Sequence, residues 1–362
     1  MDDPAAQADV LRGIADAMKG RRQAPMPAGW RPLYAKLQHS ADPQVRKLAV
    51  DLALVFGDSD AVAELKRLAQ DSKAPAADRL AAIEALAGAH ENTLGPILIS
   101  LLDNADMRDA AIRDLAAYSE NATASAILDR YSTLSEAERR DALATLCARG
   151  AWGSALLDAV EAGKIPRGDI SALTIRQLST LNDPAVNDRL KKAYGSVRAH
   201  GKDKAALIAT YKKTFTPDML AGANLSHGRL VFSKTCGVCH TLYDAGGKLG
   251  PNLTGSQRAN LDYILEKVTD PSAVVPKEDY MTVIQTTDGR TLTGIVVQDT
   301  EKSLTLRDAT QETVLPKGEI KSRRSSPTSM MPEGLLEAMS TADARDLIGY
   351  LQSSAQVPMG KE

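Results

Sequence analysis

The sequence is short of cysteine, of any surplus of charge and of long apolar runs. Three cysteines in 362 residues are too few to staple a fold with disulfides. Lysine and arginine number 44 against 46 aspartates and glutamates, a net charge of −2. That balance excludes the basic excess of a nucleic-acid binder or of a polybasic membrane-surface protein. No apolar run approaches the ~20 residues that a membrane-spanning helix needs. No Ser-His-Asp set, phosphate loop or paired catalytic carboxylate stands out, so the chain does not read as an enzyme on its own. Met1-Asp2-Asp3-Pro4 has neither the basic nor the apolar region of a secretory leader. What is present is ordinary for a soluble globular chain, with 43% apolar and 25% charged residues. The length suggests about two domains.

Residues 40 to 195 repeat. First helices are expected near Asp42-Pro43, Ala77-Asp78, Asp106-Met107, Ala137-Glu138 and Asp169-Ile170. Second helices are expected near Ser59, Asn92, Asn121, Ala151 and Pro184, at spacings of 33, 29, 30 and 33 residues. A period in this range signals stacked helix pairs. Val45, Leu48, Ala49, Leu52, Val55 and Phe56 follow the i, i+3, i+4, i+7 pattern of a buried helix face. Arg46, Arg79, Arg108 and Arg139 recur near the starts of first helices. Gly57, Gly88 and Gly150 fall near their ends. Asp42-Pro43-Gln44-Val45-Arg46 is the clearest match to HEAT-like helical repeats, which this stretch resembles in a short form. The resemblance implies an α-solenoid that serves as a support or offers its concave face to a partner protein. Trp152 reads as a packing anchor and Cys147 as a buried, inert thiol.

A polar linker, His200-Gly201-Lys202-Asp203-Lys204, leads to one more amphipathic helix near Lys204 to Phe215, and the domain boundary is expected near Gly222. Residues 226 to 240 read as helix, residues 241 to 257 as a glycine-rich loop, and Leu261 to Val268 as a helix stopped at Asp270-Pro271. From about 279 to 323 the pattern turns to three to five short antiparallel strands, with Asp288-Gly289 as a hairpin turn. Helix returns at about Thr341 to Gln352. The expectation is a mainly α protein. Residues 1–221 would form the repeat domain with its linker helix, and 222–362 a second domain with a β insertion.

Residues 236 to 240 read Cys-Gly-Val-Cys-His, the attachment pattern of a c-type haem. Cys236 and Cys239 can bond covalently to the two vinyl groups of one haem, and His240 then faces the iron as a ligand. A thioredoxin-like pair would want a preceding strand and a βαβ context. A zinc site would want a second ligand pair, and the remaining cysteine is Cys147 in the repeats. Methionine thioether is the usual second axial ligand of electron-transfer cytochromes, and Met330 and Met331 compete for that role. Among the other histidines, His39, His90 and His200 read as surface or cap residues, and His227 is a remote alternative ligand. Arg258 and Arg290 are candidates for a haem propionate. Lys321, Arg323 and Arg324 read as a solvated charged turn, or else as a docking patch for an acidic redox partner.

The segment Gly228 to Leu351 resembles the haem-binding domain described in planctomycetes and verrucomicrobia, a cytochrome c variant. The matching stretches are Gly228–Phe232, Cys236–His240, Gly250–Gly255, Asp270-Pro271-Ser272, Asp288-Gly289-Arg290, Thr293-Gly294, Ser329–Leu336 and Asp346–Leu351. The resemblance implies one covalently bound haem c and one-electron transfer. It implies that the carbonyl of Pro251 holds the other ring nitrogen of His240. It also favours Met331, just before proline, as the iron ligand over Met330. The 91 positions between His240 and Met331 would hold the family's sheet-forming insertion. Many members carry helical repeats before this domain and also a dehydrogenase propeller, which this chain lacks. The implied partner is a redox protein, with a quinone-dependent dehydrogenase as the candidate. Haem attachment of this kind requires export, so a periplasmic or otherwise exported protein is expected, its leader outside this sequence. The competing expectations are an open iron site with peroxidase-like or ligand-sensing chemistry, and a scaffold for an upstream enzyme.

Overall fold

The computed structural model describes residues 3–18, 21–194 and 201–360; His200 lies outside the described residues. The protein is mainly helical with a small antiparallel sheet region. Helices α1 (Pro4–Met18) and α2 (Trp30–Leu37) lead into five pairs. These are α3 (Pro43–Val55) with α4 (Ser59–Gln70), α5 (Ala76–Gly88) with α6 (Leu94–Leu101), and α7 (Ala105–Leu115) with α8 (Thr123–Leu128). Then come α9 (Glu136–Leu146) with α10 (Gly150–Glu161), and α11 (Ala172–Thr180) with α12 (Pro184–Tyr194). Each first helix packs on the first helix of the next pair, α3 on α5 through to α9 on α11.

Local chemistry starts these helices. Asp42, Asp58 and Asn104 accept the amide two residues on at 2.8, 3.1 and 3.0 Å. Ser135 and Glu138 form a reciprocal capping box. The recurring arginines tie one pair to the segment before it. Arg46 donates to the Ser40 carbonyl at 2.6 Å, Arg79 to Ala69 at 3.1 Å, Arg108 to Leu102 at 2.6 Å and Arg139 to Ser132 at 3.1 Å. Ala69 and Leu102 are helix-end carbonyls, which lack an intrahelical donor. A continuous, mostly aliphatic core runs from Leu54 to Leu190 and includes Trp152 and Cys147. Burial pushes the Cys147 thiol far up, which keeps it protonated and inert.

The second region contains α13 (Gly201–Thr214), α14 (Pro217–Ala221), α15 (Leu225–Thr235), α16 (Leu261–Thr269) and α17 (Thr341–Gln352). Helices α15 and α17 cross at Gly228, where an added Cβ would lie 2.6 Å from the Asp346 carbonyl carbon. Phe232 and Tyr350 pack edge to face beside this crossing, with centroids 5.5 Å apart. Ile208, Tyr211 and Phe215 belong to the same core. Helix α13 packs on α16 through this core. Helix α15 stops earlier than the expected 240, at Thr235 with Cys236 as its cap.

The strands are a two-residue ribbon, β1 (Thr241–Leu242) with β2 (Ala245–Gly246), and a five-stranded sheet. The sheet comprises β3 (Met281–Thr286), β4 (Thr291–Asp299), β5 (Ser303–Arg307), β6 (Glu312–Pro316) and β7 (Ile320–Ser326), in the order β6-β5-β4-β3-β7. Lys321, Arg323 and Arg324 are thus on an edge strand and not in a turn. Their exposed charges discourage pairing with a further chain, and Arg323 bonds Asp299 at 2.6 Å. The sheet rests on the helix pairs. Thr291 donates its amide to the Ala148 carbonyl at 2.8 Å, the Thr180 and Thr293 hydroxyls bond at 2.9 Å, and Arg22 pairs with Glu319.

Candidate functional site

After α15 the chain turns within one hydrogen-bonded loop. The amides of Cys239 and His240 both return to the Cys236 carbonyl, at 3.1 and 2.9 Å. Cys236 and Cys239 are free thiols, each partly buried. Burial raises the pKa of both. Cys239 reaches about 11, with smaller contributions from Cys236 and the buried carboxylate of Asp308. Redox-active thiol pairs are activated by a lowered pKa, and both of these thiols are shifted the other way.

His240 Nδ1 lies 2.9 Å from the Pro251 carbonyl oxygen. A carbonyl only accepts, so Nδ1 carries the proton and Nε2 keeps its lone pair. Burial lowers the ring's pKa and favours that neutral form. The glycine-rich loop is pressed against the motif. Gly250 donates its amide to the Cys239 carbonyl at 2.7 Å, and a Cβ there would come within 2.7 Å of His240 Nδ1. Only glycine lets the backbone cross the face of this imidazole.

A small apolar cluster includes Cys239. Leu249, Ile295 and Met330 form it, with Leu173, Cys239, Met281 and Ala309 packed around them. It draws on the motif loop, the sheet, the β5–β6 turn, α11 and the segment that carries the methionines. Met330 is 5% exposed, whereas Met331 is half-buried and donates its amide to Ser329 Oγ at 3.1 Å. Met330 is thus the methionine packed with Cys239, and Met331 is its neighbour on the same loop.

The remaining candidates are placed elsewhere. Arg258 donates to the Leu351 carbonyl at 2.7 Å and to that of Ser353, and its guanidinium stacks over Tyr243 at 4.8 Å. It fastens the end of α17. Arg290 is buried in the β3–β4 hairpin against Asp288 and lines a cleft of about 1020 Å³ facing the helix pairs. Backbone carbonyls engage Arg258, and Asp288 engages Arg290. His227 bonds Asp346 at 3.0 Å at the α15–α17 crossing. His90, half-buried, lines the same cleft as Arg290.

Sequence reasoning missed the supports. Leu173 and Arg176 come from α11, Lys204 from α13, and Ala309 and Asp308 from the β5–β6 turn. Nothing in their local sequence marks them. Ser272, within the quoted Asp270-Pro271-Ser272 stretch, accepts the Ser329 amide at 3.2 Å.

The chain matches no known protein family and no curated protein. Among the described residues no group of three or more His, Cys, Asp or Glu side chains is gathered for a metal ion. No helix among them is long and apolar enough to cross a membrane. The donor set fits a covalently attached haem in which the thiols are anchors rather than ligands. It offers two protonated thiols, one imidazole with a free Nε2, and thioethers on a neighbouring loop.

Proposed function

We propose that this protein is a c-type cytochrome that carries single electrons and performs no substrate chemistry of its own. In this reading an α-solenoid of HEAT-like repeats precedes a monohaem cytochrome c domain with a β insertion. The observation that carries the reading is the Cys236–His240 turn, with His240 oriented by the Pro251 carbonyl and Gly250 packed against its ring. Such outer hydrogen bonds fix a ligating imidazole and raise its basicity.

Bound haem would supply the one-electron couple. Cys236 and Cys239 would hold it covalently, and His240 Nε2 would be the proximal ligand. Met331 is the proposed distal ligand, and Met330, packed with Cys239, lines the site. The cluster of Leu249, Ile295 and Leu173 would exclude water, which together with thioether ligation raises a reduction potential. The sheet's position on one wall supports a role in limiting solvent access. The proposed setting is the periplasm or another exported compartment, with a redox protein as partner and a quinone-dependent dehydrogenase as candidate.

The test is an optical spectrum of protein matured in a haem-attaching host, recorded oxidised, reduced, and reduced with carbon monoxide. Wild type is expected to be low-spin and indifferent to carbon monoxide. Met331→Ala should lose that indifference, and Met330→Ala should keep it. A wild-type protein that takes up carbon monoxide would replace electron carriage with ligand binding or peroxide chemistry. The reverse behaviour of the two variants would move the ligand to Met330.

A further inference from the structure

The loop that carries the methionines has no ladder of its own. Residues 327–334 form neither helix nor strand, so their course depends on what holds them. Within the second region, Ser272 Oγ accepts the Ser329 amide, and the Thr328 carbonyl accepts the Met281 amide at 3.1 Å. Two further holds come from other elements, one from the helical array and one from α13. Arg176, on the last first-helix of the array, donates Nη1 to the Ser329 carbonyl. Lys204, 8% exposed on α13, sets Nζ 2.9 Å from Asp270 and 3.0 Å from Glu333. Leu173, three residues before Arg176, packs into the cluster of Met330 and Cys239.

Burial opposes the charge on both side chains, but at Lys204 the bonds to Asp270 and Glu333 outweigh it and raise the pKa. Burial lowers the Arg176 pKa, with Glu333 opposing. A buried guanidinium needs an acceptor, and a buried carbonyl needs a donor. Arg176 and Ser329 meet both needs at once. Lys204 joins Glu333, two residues beyond Met331, to Asp270 at the end of α16. The methionine pair therefore lies between two fastened points, Ser329 and Glu333.

We propose that Arg176 and Lys204 are positioning residues for the methionine loop, so that the helical array, through Arg176, shares with α13 the closure of the distal side of the haem site. This rests on the reading of Cys236, Cys239 and His240 as a haem site. It goes beyond that reading by making the array part of the site rather than its support. A ligand or partner that shifts α11 would loosen the loop and would be felt at the iron.

The experiment uses the full chain as wild type, Arg176→Ala, Arg176→Lys, Lys204→Ala and Lys204→Arg. Arg189→Ala, which breaks ion pairs to Asp158 and Glu161 within the array, is the control. Amide hydrogen exchange of residues 328–334 is measured on haem-free protein. Carbon monoxide titration of the reduced state and the reduction potential are measured on matured protein. Both alanine variants should speed loop exchange at least tenfold, keep covalent haem by mass, bind carbon monoxide at least tenfold more tightly and show a lower potential. The conservative variants should recover most of each change, and Arg189→Ala should match wild type. Unchanged loop exchange in both alanine variants would overturn the proposal. So would faster exchange with carbon monoxide affinity and potential unmoved. Absence of covalent haem in wild type, seen by mass, would instead sink the haem reading, and the proposal with it.

Discussion

The helical array and the C-terminal region differ in what their most tightly packed glycines meet. In the array, a Cβ added at Gly95 would meet the Glu120 side chain and at Gly153 the Leu178 and Leu181 side chains, while at Gly13, Gly88 or Gly168 it would meet nothing within 4 Å. In the C-terminal region the same addition at Gly228 strikes the main chain of Asp346, and at Gly250 it strikes the His240 ring. The array is assembled from near neighbours, each pair on the next, and a local change can be absorbed by a side chain turning aside. The C-terminal region joins distant segments by backbone contact and cannot yield in that way. Precision is concentrated where the cysteine motif lies.

The sharpest way to break this comparison is Gly228→Ala. A collision with main-chain atoms should cost about 4 kcal/mol, read as lost thermal stability of the C-terminal transition. An effect below about 1 kcal/mol would mean that the α15–α17 crossing adjusts as freely as the array. Within the array, Arg79→Ala leaves the Ala69 carbonyl without its arginine donor and should cost about 2 kcal/mol in denaturant unfolding. If it costs nothing, the recurring arginines are not what ties pair to pair.

A smaller effect concerns pH. Burial, with Arg22 and Arg290 adding to it, lowers His90 from 6.5 to about 4. The unfolded chain takes up this proton first on acidification. The contribution of His90 is therefore complete above pH 6.5 and is lost as pH falls towards 4. His90→Gln should flatten the loss of melting temperature across that window by the equivalent of about 1–2 kcal/mol. Burial raises Asp114 to about 7 and Asp141 to about 6. These groups shift in the other direction and are common to both proteins, so the difference between the two pH curves isolates His90. The smallest effect is a gain. Gly13→Ala, exposed within α1, should stabilise by about 1 kcal/mol, and a loss of stability there would show the array to be less forgiving than its open glycines suggest.

The array's helix starts were legible because their signals are local. Asp42-Pro43, Ser59 and Pro184 each sit where a helix begins. The hairpin at Asp288-Gly289 was legible for the same reason, with Gly289 at φ 86°. What was less legible shares a different cause. The apolar face of α13 was visible, but periodicity does not say which neighbour covers it. Lys321 to Arg324 look like a turn until β3 offers its edge. Arg176 and Lys204 are two among 44 basic residues, and their partners lie 153 and 66 residues away. Cys236, Cys239 and His240 stood out because a short motif fixes their spacing, and Pro251 because of the resemblance around it. What supports them is dispersed, and no short motif marks it.

The two fastened ends of the methionine loop also bear on when the site can be filled. Chains emerge from the N-terminus first, so Leu173 and Arg176 are made before the cysteines, and Met331 comes about 80 residues after Pro251. The half of the site around His240 is therefore complete while the covering loop does not yet exist. On the proposed haem reading, an attachment enzyme that needs open access to Cys236 and Cys239 would have that interval in which to work. Afterwards it would have to wait for Ser329 and Glu333 to let go.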